Sequence, residues 1–125
     1  METALRHELV KAIPELKNNI YPTNAPEGHK RPYLVYTRIT TRKIKVLEGY
    51  TGKEALSYMF SIMAKRYEDM KNVTKQVETL LVSLPQREIG INKILIEDIE
   101  ISNISEAFEF NLGVNRGIID FTIFY

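Results

Sequence analysis

The sequence contains no cysteine and only two histidines in 125 residues. The first absence excludes a disulfide framework and thiolate chemistry, and fits a reducing compartment. The second leaves little for a zinc site or a Ser-His-Asp arrangement. His7 lies in an N-terminal helical stretch and His29 in a proline-rich one, neither has a second histidine at ligand spacing, and no serine stands in a G-x-S-x-G elbow. No apolar run approaches the roughly 18 residues of a membrane span. The start, METALRHELVKAIPELK, is broken by Arg6, His7, Glu8 and Lys11 and lacks the apolar region of a signal peptide. An excess of charge is missing too: Lys plus Arg number 17 against 16 for Asp plus Glu, so the overall balance names no polyanionic partner. These absences predict a soluble, intracellular, non-enzymatic protein with no cofactor and no metal.

What is present can fold. Hydrophobic residues make up 44% of the chain, enough for a core, and the length fits one domain spanning residues 1–125. Residues 3–17 read as a helix, with Leu5, Leu9, Ile13 and Leu16 at helical spacing, Thr3 as a cap and Pro14 as a kink or a break. The irregular run YPTNAPEGHKRPYLVY follows, with Pro26-Glu27-Gly28 suited to a turn. From Tyr33 the pattern is β, with Tyr33, Val35 and Ile39 on one face and Leu34 and Tyr36 on the other, which predicts a strand covered on both sides at its start. Arg38, Thr40 and Arg42 are expected to line one face of its polar end, with residues 48–52 as a loop.

Residues 54–66 fit both periods. A helix from Lys53 to Leu84 would be about 30 residues, long for a small domain, so a strand to about Ala64 followed by a separate helix is the better reading. That helix carries the stripe Met70, Val73, Val77, Leu80, Leu81 and Leu84 and stops at Pro85. NKILIEDIEIS reads as a strand centred on Ile94-Leu95-Ile96, and AFEFNL puts Phe108, Phe110 and Leu112 on one face. A turn over Gly113–Gly117 leads into IIDFTIFY, where Ile119, Phe121, Ile123 and Tyr125 oppose Asp120 and Thr122. The predicted class is α+β: two main helices on a largely antiparallel or mixed sheet, in the order α-β-β-α-β-β(-β).

Three motifs that invite chemistry fail on inspection. Gly49-Tyr50-Thr51-Gly52-Lys53 is no P-loop, because Leu47 stands where the first glycine belongs and Glu54 where Ser or Thr should follow the lysine. Glu97-Asp98 with Glu100 lacks a glycine-bearing calcium loop; on a strand Asp98 and Glu100 share a face, as a solvated or partner-facing edge would. The Asn-x-Ser/Thr patterns at Asn72 and Asn103 carry no meaning without a secretion signal.

Charge, however, is segregated along the chain. Six bases (Lys30, Arg31, Arg38, Arg42, Lys43 and Lys45) lie between His29 and Lys45 without an acid. Six acids (Glu88, Glu97, Asp98, Glu100, Glu106 and Glu109) lie between Glu88 and Glu109 against the single base Lys93. Two readings follow. The basic stretch 30–45, with Tyr33 and Tyr36 close by, could track a nucleic-acid backbone and stack bases. Alternatively, two complementary patches on one domain could meet between copies, Arg38, Arg42, Lys43 and Lys45 of one against Glu97, Asp98 and Glu100 of the next. A chain ending in a strand beside acids also offers a sheet edge for augmentation.

The order of features resembles the tail-completion family of long-tailed bacteriophages, the tail-terminator or tail-to-head joining proteins. A short N-terminal helix is followed by Tyr21-Pro22, Ala25-Pro26-Glu27-Gly28 and Pro32-Tyr33-Leu34-Val35-Tyr36, then Gly49-Tyr50-Thr51-Gly52, an apolar strand and a helix from Tyr67 to Leu84. Arg116 and Asp120-Phe121-Thr122-Ile123-Phe124-Tyr125 close the chain, so the resemblance covers nearly all of it. The resemblance implies a virion tail protein without a catalytic site, made in the host bacterial cytoplasm. Copies would form a ring, typically hexameric, on the head-proximal end of the tail tube, ending its polymerisation. The expected partners are the chain itself, the tail-tube protein and the head connector, with DNA only passing through the lumen and no membrane. A head-side neck protein is the alternative within the same class.

Overall fold

Two long strands, joined end to end, organise the molecule. In the computed structural model, which describes residues 1–23 and 32–125, the chain runs through α1 (Glu2–Ala12), a 3₁₀ turn (Pro14–Leu16), β1 (Ile20–Pro22), β2 (Tyr33–Val46) and β3 (Gly49–Ala64). It continues through α2 (Tyr67–Ser83), β4 (Glu88–Ile89), β5 (Ile94–Leu95), β6 (Asp98–Glu109) and β7 (Val114–Phe124). Five strands form one sheet in the order β1-β2-β3-β7-β6, with β1 parallel to β2 and all other pairs antiparallel; β4 and β5 make a separate small ribbon. This is the expected α+β arrangement, and residues 54–64 are strand.

Alternation explains which face is covered. Leu34, Leu56, Tyr58, Phe60, Ile62, Ile119, Phe121 and Ile123 project to one face and are fully or almost fully buried. Against them pack Leu5 and Leu9 of α1, Leu16, and Val73, Val77, Leu80 and Leu81 of α2. Removing each such side chain from water contributes about 1.5–3 kcal/mol. The ring of Phe60 meets that of Phe121 edge-on at 4.8 Å, and Tyr58 stacks on Phe121 at 5.7 Å. Gly117 lets α2 approach: a Cβ there would lie 2.3 Å from Thr74 Oγ1 and 2.9 Å from Met70 Sδ.

Several local expectations need correction. Helix α1 starts at Glu2 with Met1 as its cap residue and no side-chain cap, so Thr3 is inside the helix and caps nothing. Of the kink or break expected at Pro14 the structure has the break, and Ile13 leaves the helical conformation there. The hairpin turn is Leu47-Glu48 alone; strand pairing resumes at Gly49 opposite Val46, because Gly49 and Gly52 accommodate the positive φ values the ribbon requires. The segment centred on Ile94–Ile96 is not one strand: β5 ends at Leu95, and Ile96, although buried, lies between strands. Phe110 to Gly113 form the last turn, so Phe110 and Leu112 leave the strand. The irregular segment contributes a strand, Ile20–Pro22, whose proline sits at the edge where no ladder donor is needed. The Pro26-Glu27-Gly28 turn and His29, Lys30 and Arg31 lie outside the described residues.

Candidate partner interface

The basic end of β2 divides at a bulge. Arg38 pairs with Tyr58 across the ladder but Thr40 pairs with Ser57, leaving Ile39 as the extra residue. Arg38 therefore points to the helix face, where Nη1 lies 3.6 Å from Glu2 Oε1, while Thr40 and Arg42 point to the open face. The expected single line Arg38-Thr40-Arg42 is overturned by that one inserted residue. Lys43 Nζ lies 3.8 Å from Glu54 Oε1. Lys45 stands further out, exposed, opposite Tyr50 in the ladder. Past the mutual backbone hydrogen bonds of Glu54 and Tyr125 (2.9 and 3.1 Å), β2 and β3 leave the sheet as a two-stranded arm. Such a ribbon is marginal alone.

The acids lie across the sheet at the level of the arm's base. Glu97 forms an ion pair with Lys53. Asp98 accepts the Ile99 amide through Oδ1 at 2.9 Å, and Glu100 is exposed. Asp98 and Glu100 share the open face as expected, opposite Phe124 and Thr122 of β7. The register threads Arg42, Ala55, Phe124 and Asp98 into one cross-sheet row, and Thr40, Ser57, Thr122 and Glu100 into the next. The structure thus places a cation at one border of this face and two carboxylates at the other, with two strands between them. Arg38 and Lys43 pair with Glu2 and Glu54 rather than with the acids across the sheet, and Glu97 pairs with Lys53 of β3.

The open face carries no helix among the described residues. Its middle is polar and mutually bonded: Ser57 and Thr122 share a hydrogen bond at 2.9 Å, and Arg116 donates to Ser61 Oγ and Glu109 Oε1, each at 3.0 Å. Asn103 Nδ2 lies 3.4 Å from Asp120 Oδ2. Its β2 corner is covered, with Tyr33 and Val35 buried and the Tyr21 ring edge-on to Tyr33 at 6.3 Å. Two tyrosines near the arm are held in their neutral form. Burial, then the nearby Glu2 carboxylate, pushes the Tyr58 hydroxyl well above its ordinary value, and that hydroxyl has no hydrogen-bond partner among the described residues. Burial, then its 2.9 Å hydrogen bond to Glu54, raises Tyr125.

The opposite end of the sheet has a different character. At the β6–β7 turn Phe108, Phe110 and Leu112 are 47, 87 and 55% exposed, and the two phenyl rings meet edge-on at 5.1 Å. Ile104 and Tyr67 extend the patch, and Tyr67 and Lys71 of α2 are tied to Glu106 of β6. Alternation in the sequence placed these phenylalanines on a common face but carried no sign that the face would be open. The final strand is interior, between β3 and β6; β6, twelve residues long, has a free edge among the described residues.

Among the described residues no group of His, Asp or Glu is placed to hold a metal ion, and no helix is long and apolar enough to cross a membrane. An open concavity lies between the end of α1 and α2 and is lined by Glu15, Asn72, Lys75, Gln76 and Thr79 among others.

No family model matches the chain, and no curated protein matches it. Among solved structures it is similar to a chain of the virion of a native gene transfer agent (GTA) particle, with a TM-score of 0.72 and 10% sequence identity, over 99% of this chain and 92% of that one. At that identity the likeness establishes a shared fold over essentially the whole length.

Proposed function

We propose that this chain is a structural subunit of a phage or prophage virion, of the tail-completion kind. Copies cap the head-proximal end of the tail tube as a ring, end its polymerisation and present the surface that meets the head connector. One observation carries this reading: the fold matches, nearly end to end, that of a chain in a phage-like virion particle. The layout supports it. A two-stranded arm at one end of the sheet, exposed phenylalanines at the other and a long unpaired edge strand leave three surfaces for neighbours. A role without catalysis agrees with this distribution of functional groups over edges and ends.

The nucleic-acid reading loses support from the bulge at Ile39, which separates Arg38 from Arg42, and from the ion pairs that engage Arg38 and Lys43. Electron microscopy of particles made without the protein tests the proposal. Overlong, headless tails are expected; normal virions overturn it. Tight DNA binding that falls steeply with added salt would instead favour the nucleic-acid reading.

A further inference from the structure

We propose that neighbouring copies continue one another's sheet, with the outer edge of β2 in one copy lying along the outer edge of β6 in the next. This deepens the ring reading above by naming its subunit contact. The backbone directions come first. The Leu34 amide donates to the Asn19 carbonyl, and the Tyr36 carbonyl accepts from the Thr23 amide, both at 2.9 Å. In β2 these positions therefore aim their backbone groups away from β3, as antiparallel alternation requires. Continuing past Tyr36 and across the bulge, the outward positions are Arg38, Thr41 and Lys43, beyond the reach of three-residue β1. On the other border, the Glu54–Tyr125 pair fixes which β7 positions bond to β3. Phe124, Thr122 and Asp120 then bond to β6, and the β6 groups aimed outward belong to Ile99, Ile101, Ile104, Glu106 and Phe108. Among the described residues β6 pairs with β7 alone.

Charge selects how these edges meet. Residues 37–46 contain Arg38, Arg42, Lys43 and Lys45 and no acid; residues 98–109 contain Asp98, Glu100, Glu106 and Glu109 and no base. Like edges repel and unlike edges attract, so β2 meets β6 and not another β2. Inside the chain Arg38, Lys43, Glu106 and Glu109 already have partners of opposite charge. Arg42, Asp98 and Glu100 have no ion pair among the described residues, and all three lie on the open face. A continued sheet keeps each face on its own side, so it brings Arg42 of one copy beside Asp98 and Glu100 of the next as cross-strand neighbours. One basic and one acidic edge per copy make the contact heterologous, which closes into a ring when the rotation allows. A bulge in each edge strand, at Ile39 and at Ser102, bends it and blunts it against indiscriminate pairing.

The chain has no native cysteine, so two introduced thiols report the contact directly. Arg42→Cys with Glu100→Cys, both at exposed positions, is assembled on tails and treated with a short bis-maleimide; Thr40→Cys with Asp98→Cys is the second pair. The expected product is a ladder of covalent multimers beyond dimer, up to the complete ring, with no band above dimer from either single-cysteine chain. Assembled particles in which both pairs yield only monomer or dimer overturn the proposal. The two readings fail separately. Overlong tails without the protein, but no ladder, keep tail completion and remove this contact; a ladder together with normal virions does the reverse.

Discussion

Replacing Gly117 by alanine probes how α2 is seated on the sheet. Gly117 pairs with Ile62 and Glu106 in the two ladders and has an ordinary strand conformation, so the added methyl group brings no φ penalty. Its cost is steric. The new Cβ would stand 2.3 Å from Thr74 Oγ1, 2.9 Å from Met70 Sδ and 3.3 Å from Thr74 Cβ. The Met70 thioether can swing aside, but Thr74 is buried in mid-helix and β-branched, so its hydroxyl has little room to turn. Overpacking of this kind costs about 1–3 kcal/mol, after loss of glycine's flexibility in the unfolded chain returns about 0.4–1 kcal/mol. For a chain of this size the midpoint of thermal unfolding should fall by roughly 3–15 °C. Thr74→Ala removes the nearest atom and breaks only the long contact from Thr74 Oγ1 to Met70 Sδ (3.5 Å). The double variant should therefore recover most of the loss, with a coupling of about 1–2 kcal/mol. Urea unfolding followed by circular dichroism measures all four corners of the cycle. A Gly117→Ala chain within about 0.5 kcal/mol of the parent, or strictly additive effects, would refute this account of the packing.

Other perturbations separate stability from assembly. Phe60→Ala, which removes a buried ring that packs against both Tyr58 and Phe121, should cost about 3–5 kcal/mol in urea unfolding. Arg116→Met should cost about 1–2 kcal/mol, because the buried Ser61 hydroxyl loses its donor; an unchanged midpoint would count against a stabilising role for that hydrogen bond. Phe110→Ser, at the most exposed of the three turn residues, should leave the unfolding midpoint within the range of neutral surface changes yet impair tail joining, scored by microscopy. For pH, Lys71 and then Tyr67 hold Glu106 below its ordinary carboxylate value. Its contribution is present above the unfolded carboxylate pKa and fades as pH falls through the lower folded one. Glu106→Gln should therefore flatten the acid limb of the stability curve slightly, and less so at high salt.

Much of the fold was legible because periodicity reports burial. The α2 stripe, the break at Pro14 and the alternation of Ile119, Phe121 and Ile123 are each what a chain with one covered face must show. The strand over residues 54–64 was harder, since Leu56, Met59, Phe60 and Met63 also suit a helix. Two-fold alternation won because Tyr58, Phe60 and Ile62 bury against helices while Met59 and Met63 face the open side. What the sequence hid was register. Nothing in TRITTRK marks Ile39 as the inserted residue, yet that insertion decides which bases share a face. Nor could the pairing of Lys53 with Glu97, or of Lys43 with Glu54, be read before the strand order was known.

Register also turns a charge pattern into a directional one. Read along the chain, the bases of β2 and the acids of β6 are two blocks that could meet in many ways. Read across the sheet, they are its two opposite borders. Arg38, Lys43, Glu106 and Glu109 are paired within the chain, while Arg42 on one border and Asp98 and Glu100 on the other have no ion pair among the described residues. On the proposed contact, a molecule with unlike borders is not satisfied by a two-fold partner that sets like against like; it takes a neighbour on each side, and the series closes into a ring when the rotation allows. The tip of the arm and the exposed Phe110 and Leu112 of the last turn lie at the two ends of the strands, beyond the paired stretch of those borders. On that proposal, lateral contacts between copies and the axial contacts proposed with tube and connector would form on separate surfaces of one small chain. On the tail-completion proposal, that separation would let a ring close without also stacking into a second tube.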